Sequence, residues 1–250
     1  MFGPRRVDAV GVGVSGAGSG TDARGARARR LDRASVYPGR ANAALAVAAE
    51  HGFGAVLKAA SFHQGWLLAE HGEGEVALAP MRDWVTLCRN IRAAMLIPAY
   101  LAWLAEVFHK LGRADEGLDL VRDALAAETA SGYLYWDAEL RRLKGMLLLQ
   151  AGRQETSAES CFLEALEIAR RQRAKLFELR AATSLSRLWT TQGRGAEARA
   201  LLSDVYGWFT EGFDTPDLVE AKALLEELDR LGSNVGIRSP LQSSRLGKET

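Results

Sequence analysis

The feature that most constrains this chain is a clock of glycines. Apolar stretches end on glycine in WLLAEHGEGEVAL (Gly72), WLAEVFHKLGRADEGLDLV (Gly112), KGMLLLQAGRQETSAESCF (Gly152) and LSRLWTTQGRGAEARALL (Gly193), at spacings of 40, 40 and 41 residues. A helix that closes on a left-handed residue finds donors for its last carbonyls, and glycine takes that conformation without a Cβ penalty. Each glycine is therefore expected to mark the turn of a helix hairpin. Seven residues before it stands Gly65, Ala105, Gly145 or Ser186, always small, and four before it a large apolar residue, Leu68, Phe108, Leu148 or Trp189. Five residues after it come Ala77, Gly117 and Ala198, while in the third unit Ala158 stands six after, which predicts one inserted residue in the turn at 153–156. Small residues facing each other let the two helices of a hairpin approach. A fixed period of this length is the signature of stacked units that bury one continuous core between them.

This arrangement of large, small and glycine resembles the tetratricopeptide repeat, with a period somewhat above its usual ~34 residues. The expected fold is all-α: tetratricopeptide-like helix-hairpin repeats of 40-residue period forming a right-handed superhelix. From residue 39 onward apolar residues recur at three and four rather than alternating, so helices are expected at 40–50, 54–71, 74–89, 92–111, 114–129, 134–151, 155–173, 175–192, 195–210 and 216–230. Pro80 and Pro98 fall inside two of these and should mark a kink or a helix start. Three regions follow: a Gly/Arg-rich segment at 1–38, expected to be disordered, the repeat domain at 39–231, and a polar disordered tail at 232–250.

Charge narrows the function classes. The 32 basic and 31 acidic side chains leave a net +1, so no global field draws the chain to nucleic acid or to an anionic membrane, and affinity for either needs a local patch. Residues 1–40 hold eight arginines against three aspartates, a local +5 that leaves −4 for the rest. Within them GVGVSGAGSG contains GxGxxG at Gly11, Gly13 and Gly16, but a buried strand before it, an apolar helix after it and a Lys-Ser/Thr pair are all missing, so no nucleotide cofactor is expected. Cys88 and Cys161 read as buried small hydrophobes. His51, His63, His71 and His109 lack ligand spacing, and Thr183, Ser184 and Ser186 have no histidine near them in sequence, so neither a metal nor a catalytic residue is expected. The basic run ARRQRAK at 169–175 is flanked by Glu164, Glu167 and Glu178 and reads as a solvated helix end, which argues against a nucleic-acid partner. No run approaches the ~20 apolar residues of a membrane span, so no membrane partner and a cytoplasmic location are expected.

A closer resemblance rests on AELRRLKGMLLLQAG and on the stretch from ESCFLEALEIARRQRAK through LLSDVYGWFTEGFDTPDLVEAKALLEEL, together with HGF at His51 and GWLLAEHGEGE at Gly65. These resemble the C-terminal tetratricopeptide-repeat arm of bacterial signal-transduction ATPases that carry an adenylate/guanylate cyclase-like domain. The resemblance covers about 40–230 and is strongest over 138–228. It implies a non-catalytic interaction or regulatory arm of a longer protein. No Walker lysine, metal-binding aspartate pair or cyclase signature occurs in these 250 residues, so neither activity carries over.

In such repeats the first helix of each unit lines the concave face, through positions 13, 10, 6 and 3 before the turn glycine. Here these give Phe62, Trp66, Glu106, His109, Glu139, Arg142, Arg180 and Arg187 as candidate residues for holding a protein or peptide partner. Charge reversal of Arg142 and Arg187 is expected to abolish capture without loss of helicity. Two alternatives stand beside this reading: a self-associating helical scaffold, and a nucleic-acid-associated regulator fragment. Finally, VYGWFTEGFDTPDLVEAKALLEEL at 205–228 reads as a joint, with Gly212 ending one helix, Thr215-Pro216-Asp217 opening the next, and Trp208 and Phe213 covering the last apolar edge.

Overall fold

In the computed structural model the described residues are 51–236 together with 43, 47 and 50. The GxGxxG stretch, the rest of 1–38 and residues 237–250 lie outside them. Nine helices are described from residue 54 onward: α1 Gly54–Glu70, α2 Gly74–Asn90, α3 Ile97–Lys110, α4 Ala114–Ser131, α5 Asp137–Gln150, α6 Glu155–Gln172, α7 Lys175–Thr191, α8 Gly195–Tyr206 and α9 Pro216–Gly236. No strand occurs among the described residues. Of the expected helix at 40–50 only Ala43, Val47 and Glu50 are described, and all three are helical.

Every turn glycine predicted from the sequence sits in the left-handed region, with φ of 92° at Gly72, 74° at Gly112, 65° at Gly152 and 77° at Gly193. Two hydrogen bonds lock each turn. At Gly112, its own N–H reaches the His109 carbonyl at 3.1 Å and the Arg113 N–H reaches the Phe108 carbonyl at 2.9 Å. The residue four before the glycine thus has two tasks: its side chain fills the hairpin gap and its carbonyl closes the turn. In the second and fourth units the arginine after the glycine lies over that same side chain, Arg113 at 4.9 Å from the Phe108 ring centroid and Arg194 at 4.4 Å from that of Trp189. In the third unit α6 starts one residue later after its glycine than α2, α4 and α8 do, as the Ala158 offset predicts.

A second left-handed position recurs at the other end of each unit, at Gly52, Arg92, Gly132, Arg173 and Gly212. Sequence reading misses this register, because arginine holds two of its five positions with φ of 56°.

The small residues do what their spacing implies. A Cβ on Gly65 would stand 3.0 Å from the Ala77 carbonyl oxygen, and one on Gly145 would meet the Phe162 ring at 2.5 Å. Ser186 spends its buried hydroxyl on the Ala198 carbonyl at 3.1 Å. Consecutive helices pack side by side, and each odd-numbered helix also packs on the next odd-numbered one. Among the described residues the even-numbered helices make no comparable contact with one another. The odd helices therefore form a continuous inner layer and the even ones an outer layer, with Phe62, Phe108 and Phe162 fully buried between them.

Several helix ends differ from expectation. α3 begins at Ile97 rather than 92, because Pro98 sits in its first turn, where its missing N–H costs nothing. Pro80 instead lies inside α2. α5 begins at Asp137, since the backbone N–H of Trp136 donates to the Glu128 carboxylate at 2.7 Å and holds residues 132–136 as a connection. α8 ends at Tyr206, and α9 runs past residue 230 to Gly236.

Candidate functional site

A groove of about 660 Å³ opens on the odd-helix layer, lined by α3, α5, α7 and the start of α9, with Glu155 and Phe162 of α6 also on its lining. Its floor is apolar, from Met146, Leu149 and Leu188, and its walls are charged, from Glu106, Arg142, Arg180, Arg187, Asp217 and Glu220. Beneath it lies a buried ion pair. Arg142 grips Glu139 with two hydrogen bonds, Nε to Oε2 at 2.8 Å and Nη2 to Oε1 at 2.7 Å, and both residues are nearly inaccessible. Taking two charges out of water costs several kcal/mol each, so the pair persists because its geometry is bidentate and further groups share the load. Arg180 is that further group: it reaches Glu139 at 2.7 Å, Asp217 at 3.2 Å and Glu106 at 3.9 Å. One side chain from α7 therefore ties α3, α5 and α9 together across the groove.

The titration behaviour follows from this wiring. Burial pushes the Glu139 carboxyl up, but Arg142 and Arg180 outweigh it, so it falls below the usual carboxylate range. Burial opposes the charge of Arg142, and Glu139 more than restores it. Asp217 is raised, because its burial exceeds what the shared Arg180 returns. Burial also lowers His109, partly offset by its 3.1 Å contact with the Gln150 side-chain oxygen.

Five of the eight residues expected on the concave face line this groove: Glu106, His109, Arg142, Arg180 and Arg187. Glu139 is brought to the same place but lies under the surface, 2% exposed. Phe62 and Trp66 go elsewhere. Phe62 is fully buried, 4.6 Å from the Tyr100 ring centroid and 5.8 Å from that of Trp103, and the Trp66 ring lies tilted against that of Trp103, with centroids 6.3 Å apart. Aromatic side chains of α3 cover these α1 positions, so they build core rather than groove. The expected reversal of Arg142 also changes meaning. A carboxylate there would face Glu139 inside the protein, so that variant reports on stability and only Arg187, paired with Glu220 at 2.9 Å on the surface, reports on recognition.

Sequence reasoning missed Asp217 and Glu220. The signal was available: α9 follows α8 as a fifth first helix, so its opening turn belongs to the inner layer like those of α3, α5 and α7. It also placed Trp208 and Phe213 over an apolar edge, whereas they are 57% and 47% exposed. Tyr206 and Phe209 instead pack on the last core cluster. The Thr215 hydroxyl donates back to the Gly212 carbonyl at 2.7 Å.

Among the described residues no group of three histidine, cysteine or acidic side chains could hold a metal ion, and no helix is long and apolar enough to cross a membrane. Cys88 and Cys161 are buried and free, and burial raises both thiols. In the basic run, Arg170 and Lys175 are both committed to Glu178, at 2.9 and 2.7 Å.

Fold and groove together define the class: an all-α repeat of tetratricopeptide-like helix hairpins. BtubC (BKLC) from P. vanneervenii is similar at a TM-score of 0.59 and 15% identity, over 87% of this chain and 98% of that one. A putative kinesin light chain of Podosopora anserina with nearly identical TPR-like repeats is similar at 0.53 and 14%, over 71% and 87%. In sequence, an uncharacterized protein of Rhizobium meliloti strain 1021 is 28% identical over 130 residues, which take in 52% of this chain and 13% of that protein. The chain thus matches a small part of the length of this relative. No family model matches.

Proposed function

We propose that this chain is a non-catalytic interaction module whose groove holds a segment of a protein or peptide partner. The observation that carries the reading is the groove itself: an apolar floor with a charged wall, on the inner layer of a tetratricopeptide-like repeat. Three arginines and four carboxylates, Glu106, Glu155, Asp217 and Glu220, line the groove, and Arg142 is spent on the buried Glu139, so the carboxylates are in excess even after Arg180 and Arg187 pair with three of them. That balance favours a segment bearing lysine or arginine beside an apolar side chain.

In the finer reading the module is an interaction arm of a longer signalling protein of the cyclase-like ATPase type. What supports it is the resemblance of residues 138–228 to such arms.

Panning the full chain against random displayed peptides tests the site. Lysine- or arginine-bearing peptides should enrich, and Glu106→Lys, on a partly exposed side chain, should weaken them about tenfold with helicity unchanged. Enriched peptides that bind Glu106→Lys as tightly as the parent would reject the groove.

A further inference from the structure

The two ends of the repeat differ in kind. The turns within hairpins, at 71–73, 111–113, 151–154 and 192–194, carry no exposed large apolar side chain. The connections between hairpins carry many. Ile91 and Met95 stand out between α2 and α3, Tyr133 and Tyr135 between α4 and α5, and Trp208 and Phe213 between α8 and α9, each between 47% and 68% exposed. Leu176, beside the α6–α7 connection, is 47% exposed.

In a stack of hairpins all connections of one kind share an edge, and three of these touch in series. The Gln172 amide donates to the Leu134 carbonyl at 2.5 Å, Tyr135 lies 5.9 Å from Phe177, and the Lys175 ammonium lies 5.5 Å from the Trp208 ring centroid. One edge of the repeat thus carries exposed apolar and aromatic side chains at each of its connections, three of them in contact, whereas such side chains are ordinarily scattered singly.

Charge is ordered along this edge. Arg92 stands at its α2–α3 end and Arg173 near its middle, both left-handed where the other three positions of the register have glycine. Keeping a bulky side chain in a strained conformation on a surface points to a use for the side chain. The α8–α9 end is acidic instead, with Glu211 and Asp214 beside Trp208 and Phe213. An edge that is basic and apolar at one end, acidic and aromatic at the other, is complementary to itself when reversed.

We propose that this edge is an isologous interface that pairs the chain with a second copy of itself. The two-fold axis passes between the α4–α5 and α6–α7 connections. Arg92 of one copy then meets Glu211 of the other, Met95 meets Trp208 and Phe213, and Tyr133 and Tyr135 meet Arg173 and Leu176. The connections involved hold roughly the 20–30 residues a side of a standard interface, with the tyrosine, tryptophan, methionine and arginine enrichment of interface centres.

Sedimentation of the full chain across a dilution series tests the pairing. The parent should pass from dimer to monomer. Arg92→Gly should weaken the dimer about tenfold while raising the melting temperature of the monomer, because it removes charge and strain together, so lost pairing cannot be blamed on misfolding. Arg92→Glu should abolish the dimer, and adding Glu211→Arg should restore it. A monomer at every concentration, a dimer indifferent to Arg92→Gly and Tyr135→Ser, a double variant no better than Arg92→Glu alone, or a monomer that instead sediments with anionic vesicles would each overturn the proposal.

Discussion

Glu128 offers the sharpest test of how the connection between α4 and α5 is held. It lies in α4 with 1% of its surface exposed, its Oε1 accepting the Trp136 N–H at 2.7 Å and its Oε2 without a hydrogen-bond partner. Burial pushes this carboxyl up from 4.5 to about 7, against the pull of the Trp136 donor and of Arg141 and with a push from Asp137. The folded state therefore binds the Glu128 proton more tightly than the unfolded chain does between those two values. Stability from this group is complete below pH 4.5, falls as pH rises, and is lost once pH passes about 7. At about 1.36 kcal/mol per pH unit, ionising Glu128 costs the fold roughly 3 kcal/mol at pH 8. Glu128→Gln removes the charge while keeping an oxygen for the Trp136 N–H. In urea titrations, the advantage of the glutamine variant over the parent should grow by about 2.5 kcal/mol between pH 5 and pH 8. A difference constant within about 0.5 kcal/mol over that range would refute the burial argument, since only an ionisation coupled to folding changes the slope.

Three further outcomes follow from the packing. Glu139→Gln leaves Arg142 and Arg180 facing each other without their shared carboxylate, and should cost about 3–5 kcal/mol near neutral pH by urea denaturation. That cost should shrink on acidification below the ordinary carboxylate range, because the folded-state carboxyl is depressed and its stabilisation is lost as it protonates. Gly145→Ala drives a methyl into the Phe162 ring and should cost about 1–3 kcal/mol, read as a lowered melting temperature. Arg173→Gly removes the left-handed strain and should gain about 1 kcal/mol in the same assay.

The sequence made the repeat readable because hairpin turns demand one residue type at one place. Gly72, Gly112, Gly152 and Gly193 stand out, and the small residues seven before them follow from the same constraint. The partner register did not stand out, because Arg92 and Arg173 occupy strained positions that a pattern of glycines cannot reveal. The inner face was legible where the repeat is regular, so Glu106, His109, Arg180 and Arg187 fall where counting puts them. It failed at Phe62, because counting assigns a direction and not a depth: Tyr100 and Trp103 from the next first helix cover that side chain. Depth is also why Glu139 and Arg142 misled. Counting makes them two partner-facing side chains of one helix, and only the arrival of α3, α7 and α9 around them turns them into a buried pair.

The central claim is that the odd-helix groove is where a partner segment lies. Amide hydrogen exchange of the full chain, with and without a panned lysine- or arginine-bearing peptide, tests it directly. Slowed exchange should fall on α3, α5, α7 and the first turns of α6 and α9, with α4, α8 and the second half of α6 unchanged. Protection of those outer segments, with the groove-lining segments unaffected, would contradict the claim.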